Sequence, residues 1–303
     1  MRRNRETSLV SPSRRRLLVA GALALVAPRV RAETPPHLPA VASFSILGDL
    51  VAEVGGRRLD LATIVGPDSD AHVYQPTPKD GKRLAGARIV FVNGLGFEGW
   101  IDRLIAASRT KATVATASRG VTPRKDIEGL DPHAWQSVAN AKIYVANIRD
   151  ALVDADPEAA EVFRANAEAY LERLGALDAE IKAAIEAIPK SRRRVVSTHD
   201  AFGYFAARYG LEFIAPEGVS TEAEPSARDV ARIIDAARAH KVAAIFLENI
   251  IDPRLAQRIA AETGAKIGGT LYSDALSARG GPAPGYIEMM RYNVKQLTTA
   301  LAS

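Results

Sequence analysis

Strand-like and helix-like runs alternate along this chain almost from end to end, and that alternation restricts it to parallel sheets with helices packed on both faces. Residues 38–44 read as a strand, and Ser45 can cap a helix over 46–54 that Gly55-Gly56 closes. Residues 59–65 form the next strand. A polar loop over 66–76 follows, then a helix with Thr77 as cap and Pro78 at its first position. Residues 88–92 are a strand of the buried type, 97–107 a helix and 112–116 another strand. A second set repeats the pattern, with strands at 194–197, 211–214, 242–247 and 266–271. Its helices lie at 201–209, 227–239, 254–263 and 286–300. The expected class is α/β, two Rossmann-like lobes with parallel sheets.

A single long helix separates the two sets. Asp156-Pro157 is a cap followed by a first-turn proline, and Phe163, Ala167, Tyr170, Leu174, Leu177, Ile181, Ile185 and Ile188 then recur in steps of three and four. Such a stripe predicts a helix of about 30 residues, roughly 45 Å long, which Pro189 ends. A helix of that length reads as a rigid strut along both lobes, with a ligand site in the cleft between them. The expected division is an export signal over 1–32, an N-terminal α/β lobe over 33–155, the linking helix over 156–189 and a C-terminal α/β lobe over 190–303.

The first segment has the layout of a cleaved signal: eight arginines, an apolar stretch over 17–27 and the small-residue finish Val30-Arg31-Ala32. Ser13-Arg14-Arg15-Arg16-Leu17-Leu18 has the look of a twin-arginine export motif. The apolar run, roughly 11 residues, is too short to span a bilayer core of about 30 Å. Its arginines exceed its single glutamate by seven, which takes the formal net charge from +5 for the whole chain to −2 for the remainder. The basic character therefore belongs to the leader, and nothing in the remainder points to nucleic acid or an anionic membrane surface. The chain has no cysteine. Disulfides, thiolate metal sites and a lipid-bearing amino-terminal Cys are thus excluded, and the expected location is the periplasm, without a lipid anchor.

Five histidines are present, and three of them, His72, His133 and His199, stand in short polar connections just after apolar strand runs. Asp274 occupies a fourth such place, after the run over 265–271. In an open α/β sheet these connections line the carboxyl edge of the strands, where ligands bind. Any one of the histidines alone reads more simply as a hydrogen-bonded structural residue, and Asp274 alone as a cap or turn residue. Gathered at one edge, three imidazoles and a carboxylate would make a metal site of nitrogen and oxygen donors, and that is the expectation. His37, in the Pro-rich start, and His240, at a helix end, read as solvated. Glu222 and Glu224 read as a solvated loop, or as an acidic loop at the cleft mouth. Glu248 reads either as a group orienting a ligand or as ordinary strand-end bonding. Trp135 reads as packing under the His133 loop.

The fragments resemble the periplasmic metal-binding proteins of zinc and manganese ABC importers, the zinc-uptake and TroA-like group (metal-binding cluster A-I) of solute-binding proteins. The resemblance covers about residues 38–302. It rests on Asp70-Ala71-His72-Val73-Tyr74-Gln75-Pro76, Asn93-Gly94-Leu95-Gly96-Phe97-Glu98, Asp131-Pro132-His133-Ala134-Trp135, the stretch over 197–205, Glu222-Ala223-Glu224-Pro225-Ser226 and Leu271-Tyr272-Ser273-Asp274. It implies two lobes joined by a long rigid helix with the metal between them, held by His72, His133, His199 and Asp274. Zinc-uptake members often carry a His-rich loop before the second ligand; here the interval 120–130 holds no histidine, and the disulfide of some members is impossible.

Manganese-type members resemble this chain less at the third ligand, where they usually carry Glu in place of His199. Three imidazoles and a carboxylate suit four-coordinate Zn²⁺, whereas Mn²⁺ prefers more oxygen. The expected function is high-affinity capture of Zn²⁺ and delivery to a membrane permease, with Mn²⁺ or broad divalent binding as the alternative. The partners so implied are the ABC permease and its ATPase, with a periplasmic metallochaperone as a further candidate and the protein itself a monomer. A zinc hydrolase is the rival of another class. It would need three protein ligands, an open position for water and a general base, and no His-Glu-x-x-His helix is present.

Overall fold

The apolar runs pair with one another as the alternation requires. The computed structural model describes residues 37–125 and 129–302. In it β1 (Leu38–Phe44), β2 (Leu59–Val65), β3 (Ile89–Val92) and β4 (Thr113–Thr116) make an all-parallel sheet in the order β2-β1-β3-β4. A second parallel sheet holds β5 (Arg194–Val196), β6 (Glu212–Ile214), β7 (Ala244–Glu248) and β8 (Lys266–Leu271) in the order β6-β5-β7-β8. The two orders are one pattern used twice. Strands covered on both faces need apolar side chains in both directions, and all of Ile89-Val90-Phe91-Val92 is buried.

Helices α1 (Ser45–Gly55), α2 (Pro78–Gly86), α3 (Ile101–Ser108) and α4 (Val138–Ala155) accompany the first sheet. Then come α5 (Ala160–Glu186), α6 (Gly203–Tyr209), α7 (Ala227–Ala239), α8 (Arg254–Thr263) and α9 (Tyr286–Ala302). Thr77 stands at the cap of α2 with Pro78 after it, as the sequence suggests, and Asp80 reaches back to accept the Thr77 amide at 2.9 Å. Four other helix starts differ from expectation. Ser45 lies inside α1, and its hydroxyl accepts the Leu276 amide at 3.0 Å. Helix α3 begins at Ile101 rather than at Phe97, and in the segment before it the Glu98 carboxylate accepts the Ser43 hydroxyl and the Asn93 amide. Asp156 pairs with Arg58, a 3₁₀ turn over Pro157–Ala159 intervenes, and α5 starts at Ala160. The Asp200 amide binds Gly218 O, and α6 starts at Gly203.

The stripe on α5 is buried from Phe163 to Ile185, and the helix packs on α1 and α4 of the first sheet and on α6 and α9 of the second. Its 27 residues span about 40 Å. Side chains from both sheets, Val41 and Phe246 among them, join the α5 stripe in one continuous core. A smaller apolar cluster, including Val230, Ile233 and Ile259, lies under α7 and α8. Among the described residues no helix is long and apolar enough to cross a membrane. The export signal over 1–32 lies outside the described residues.

Candidate metal centre

Four loops at the carboxyl ends of strands carry the site. His72 lies between β2 and α2, His133 between β4 and α4, His199 just after β5 and Asp274 just after β8. The structure brings all four together, with one donor atom from each lying within 4.8 Å of the others. His72 Nε2 is 3.3 Å from His133 Nε2 and 3.2 Å from Asp274 Oδ2. His199 Nε2 is 3.2 Å from Asp274 Oδ2, and His133 Nε2 is 3.5 Å from Asp274 Oδ1. His133, His199 and Asp274 are wholly buried, and His72 keeps 6% of its surface.

Each donor is held by its own surroundings. The amide of His72 donates to Asp70 Oδ1 at 2.8 Å, and Trp100 Nε1 donates to Ala71 O at 2.8 Å. Asp131 repeats the arrangement one lobe-edge away. Its Oδ1 takes the His133 amide at 2.9 Å and also the His133 ring at Nδ1, again at 2.9 Å. Asn93 donates to Pro132 O at 3.0 Å and is itself fixed by the Tyr144 hydroxyl at 2.6 Å. Glu248 serves His199, accepting the Thr198 and His199 amides at 2.8 and 2.9 Å through Oε1, while Oε2 lies 2.7 Å from His199 Nδ1. The Asp274 segment is gripped from both lobes. Trp135 and Gln136 donate to Ser273 O at 3.0 and 2.7 Å, and Asn293 takes the Tyr272 amide and donates to its carbonyl.

These contacts fix where the protons are. A nitrogen beside a carboxylate carries its proton there, so His133 and His199 hold hydrogen on Nδ1 and turn an Nε2 lone pair to the centre. Asp274 turns both oxygens to the same point, Oδ2 toward His72 and His199 and Oδ1 toward His133. Buried lone pairs facing one another are costly unless a cation lies among them. Metal-free, protons fill that need. Burial pushes the His133 ring down, but Asp274 and Asp131 outweigh it and raise it to about 9. Burial likewise opposes charge on His199, where Glu248 and Asp274 prevail and hold it well above the ordinary imidazole range. Burial alone would raise Asp274; the rings of His133 and His199 pull it far below the usual carboxylate range.

His37 and His240 are exposed and lie apart from the centre, as the sequence suggests. Glu222 and Glu224 are exposed on the loop before α7. Of the two readings of Glu248, ring orientation is the one the 2.7 Å contact supports. Trp135 does more than pack, because its indole reaches across to Ser273. Sequence reasoning missed Asp131, Asn93 and Tyr144. For Asp131 a signal was present: Asp70-Ala71-His72 and Asp131-Pro132-His133 place an aspartate two residues before each histidine, where it can bond that residue's amide.

A family model described as zinc-uptake complex component A, periplasmic (ZnuA), matches residues 40–300. The manganese-binding lipoprotein MntA of Halalkalibacterium halodurans is 34% identical over 266 residues, covering 88% of this chain and 89% of the relative. The iron ABC transporter substrate-binding lipoprotein MtsA of Streptococcus pyogenes is 29% identical over 276 residues, again 88% and 89% of the two chains. Among solved structures, the periplasmic zinc binding protein TroA of Treponema pallidum superposes with a TM-score of 0.85 at 28% identity, covering 88% of this chain and 100% of that one. Two of these relatives are lipoproteins, and that overturns the expectation of a protein without a lipid anchor. In those relatives the same family of chain carries a lipid, so the residues that shape the lobes and the centre are not the ones that decide attachment.

Proposed function

The chain belongs to the zinc-uptake complex component A family of periplasmic proteins, substrate-binding components of metal ABC transporters, and from that premise we propose that its cargo is Zn²⁺. His72, His133, His199 and Asp274 are its ligands. One observation carries this reading: a donor atom from each of three imidazoles and a carboxylate converge, buried, within 4.8 Å of one another. Four of the donor separations, 3.2–3.5 Å, come near the edge length expected around Zn²⁺, and all lie within 4.8 Å. A tetrahedron with arms of about 2.0–2.1 Å has edges of about 3.3 Å.

In this reading residues 33–155 and 190–303 are the two lobes and 156–189 the linking segment. Capture exchanges protons for the ion. His133 and His199 each release the Nε2 proton to solvent and the two charges of Zn²⁺ take their place, while Asp131 and Glu248 keep the Nδ1 protons and the ring orientations. The loaded protein, a monomer, delivers its cargo to a permease driven by an ATPase. It is not an enzyme: four protein donors fill a zinc coordination sphere and leave no position for a reacting water.

Mn²⁺ or broad divalent binding is the second reading, favoured by a specific feature of the site. Asp274 presents both oxygens, so it can supply two oxygen donors to an ion that prefers more than four. Competition titrations with Zn²⁺ and Mn²⁺ on the wild type and His199→Glu separate the two. The first reading expects the wild type to prefer Zn²⁺ by at least about a hundredfold, and His199→Glu to narrow that preference by about tenfold or more. Equal affinities in the wild type would decide for the second.

A further inference from the structure

The loop over residues 217–225 touches the surroundings of ligands in both lobes. Its root is fixed on either side of His199: the Glu217 amide donates to Thr198 O at 3.4 Å, and Gly218 O accepts the Asp200 amide at 3.0 Å. Its tip reaches the first lobe, where the Thr221 hydroxyl donates to Asp70 Oδ2 at 2.6 Å. The other oxygen of the same carboxylate holds the His72 amide. Asp70 therefore ties the backbone of a first-lobe ligand to a loop rooted at a second-lobe ligand. The next residue, Glu222, overlies Gly99, where a Cβ would sit 3.6 Å from Glu222 Oε1. With Val73, Tyr74, Trp100 and Arg103 it lines a cavity of about 380 Å³ that reaches His72. Of the four ligands only His72 keeps any exposed surface, so this cavity is where the centre meets solvent.

We infer that residues 217–225 form a strap over the metal centre, with the Thr221–Asp70 hydrogen bond as the latch that sets how fast a bound divalent cation leaves. The inference rests on the metal-ligand reading above. Thr221 has no contact with the donor atoms of the site; it acts through Asp70 and is a positioning residue. An ion leaving past His72 must displace the Glu222 side of the cavity, and the strap yields only when its tip lets go. A hydroxyl bonded to an ionised carboxylate is among the stronger single contacts such a loop can make. Losing it eases opening without altering the four donors, so release changes more than capture.

The test uses the full chain loaded with Zn²⁺ alone or Mn²⁺ alone and mixed rapidly with excess chelator. Thr221→Val keeps the shape and removes the hydroxyl; it is expected to release the ion about tenfold faster, with the association rate changed less than about twofold. Thr221→Ser restores the hydroxyl and is expected to restore the slow release. Amide exchange over 217–225 in the loaded protein is expected to quicken in Thr221→Val alone. An unchanged release rate in Thr221→Val, or fast release in Thr221→Ser, overturns the latch while leaving the ligand assignment intact. A wild type that takes up neither ion overturns the ligand assignment, and the strap with it.

Discussion

His133 shows how much one residue's surroundings decide. An isolated imidazole stops competing for protons near pH 6.5, so a site read from sequence is expected to lose metal only below that value. In the folded protein burial opposes the charged ring, yet Asp274 and Asp131 keep it protonated up to about pH 9. Proton competition therefore extends into the neutral range. The sign for stability follows. The ring is raised above its unfolded value, so it stabilises the metal-free fold fully below about pH 6.5, and that contribution, on the order of 3 kcal/mol, is lost as pH rises through about 9. Metal affinity runs the other way, rising between pH 6.5 and 9 by about tenfold per unit for each proton displaced. Calorimetric titrations with Zn²⁺ at pH 6.5, 7.5 and 8.5 check this; an affinity flat across that span contradicts the proton exchange.

At the scale of elements, α9 acts on a carboxylate it does not carry. Asn293 accepts the Tyr272 amide at 2.9 Å and donates to the Tyr272 carbonyl at 2.7 Å, fixing the end of β8 two residues before Asp274. Asn293→Leu leaves both buried groups unpaired, at about 2–4 kcal/mol, and is expected to weaken Zn²⁺ binding as Asp274 loosens. Urea unfolding and a chelator titration measure the two effects; lost stability with full affinity would show that Asp274 is held without α9. The same pattern separates what was legible in the chain from what was not. Strands such as 89–92 were legible because burial on both faces demands a continuous apolar run. That His72, His133, His199 and Asp274 come together was legible because polar residues just past such runs stand at one edge of a parallel sheet. The start of α1 was misread because the hydroxyl of Ser45, which could cap a helix, accepts the amide of Leu276 from far along the chain. Asn93, Tyr144, Trp135 and Gln136 matter through contacts between loops that only the folded chain brings together, so no local spacing marks them.

For the whole molecule, the two sheets share one core along α5, and the centre draws donors from both halves. Neither half can unfold and leave the site intact. An ion that binds only the folded protein adds RT ln(1 + [L]/Kd), about 2.7 kcal/mol at a hundred times Kd. For a domain of this size that raises the midpoint by about 5–10 °C. The shared core adds a sharper requirement: the metal-free protein is expected to melt in a single transition, and metal is expected to move all of it. The small cluster under α7 and α8 stands apart from that core, so those helices are expected to open first, at lower free energy than the rest. Differential scanning calorimetry with and without Zn²⁺, read beside amide exchange resolved by peptide, tests both statements. Two resolved transitions, with only one moved by Zn²⁺, would mean that the lobes fold independently and that α5 links them without coupling them.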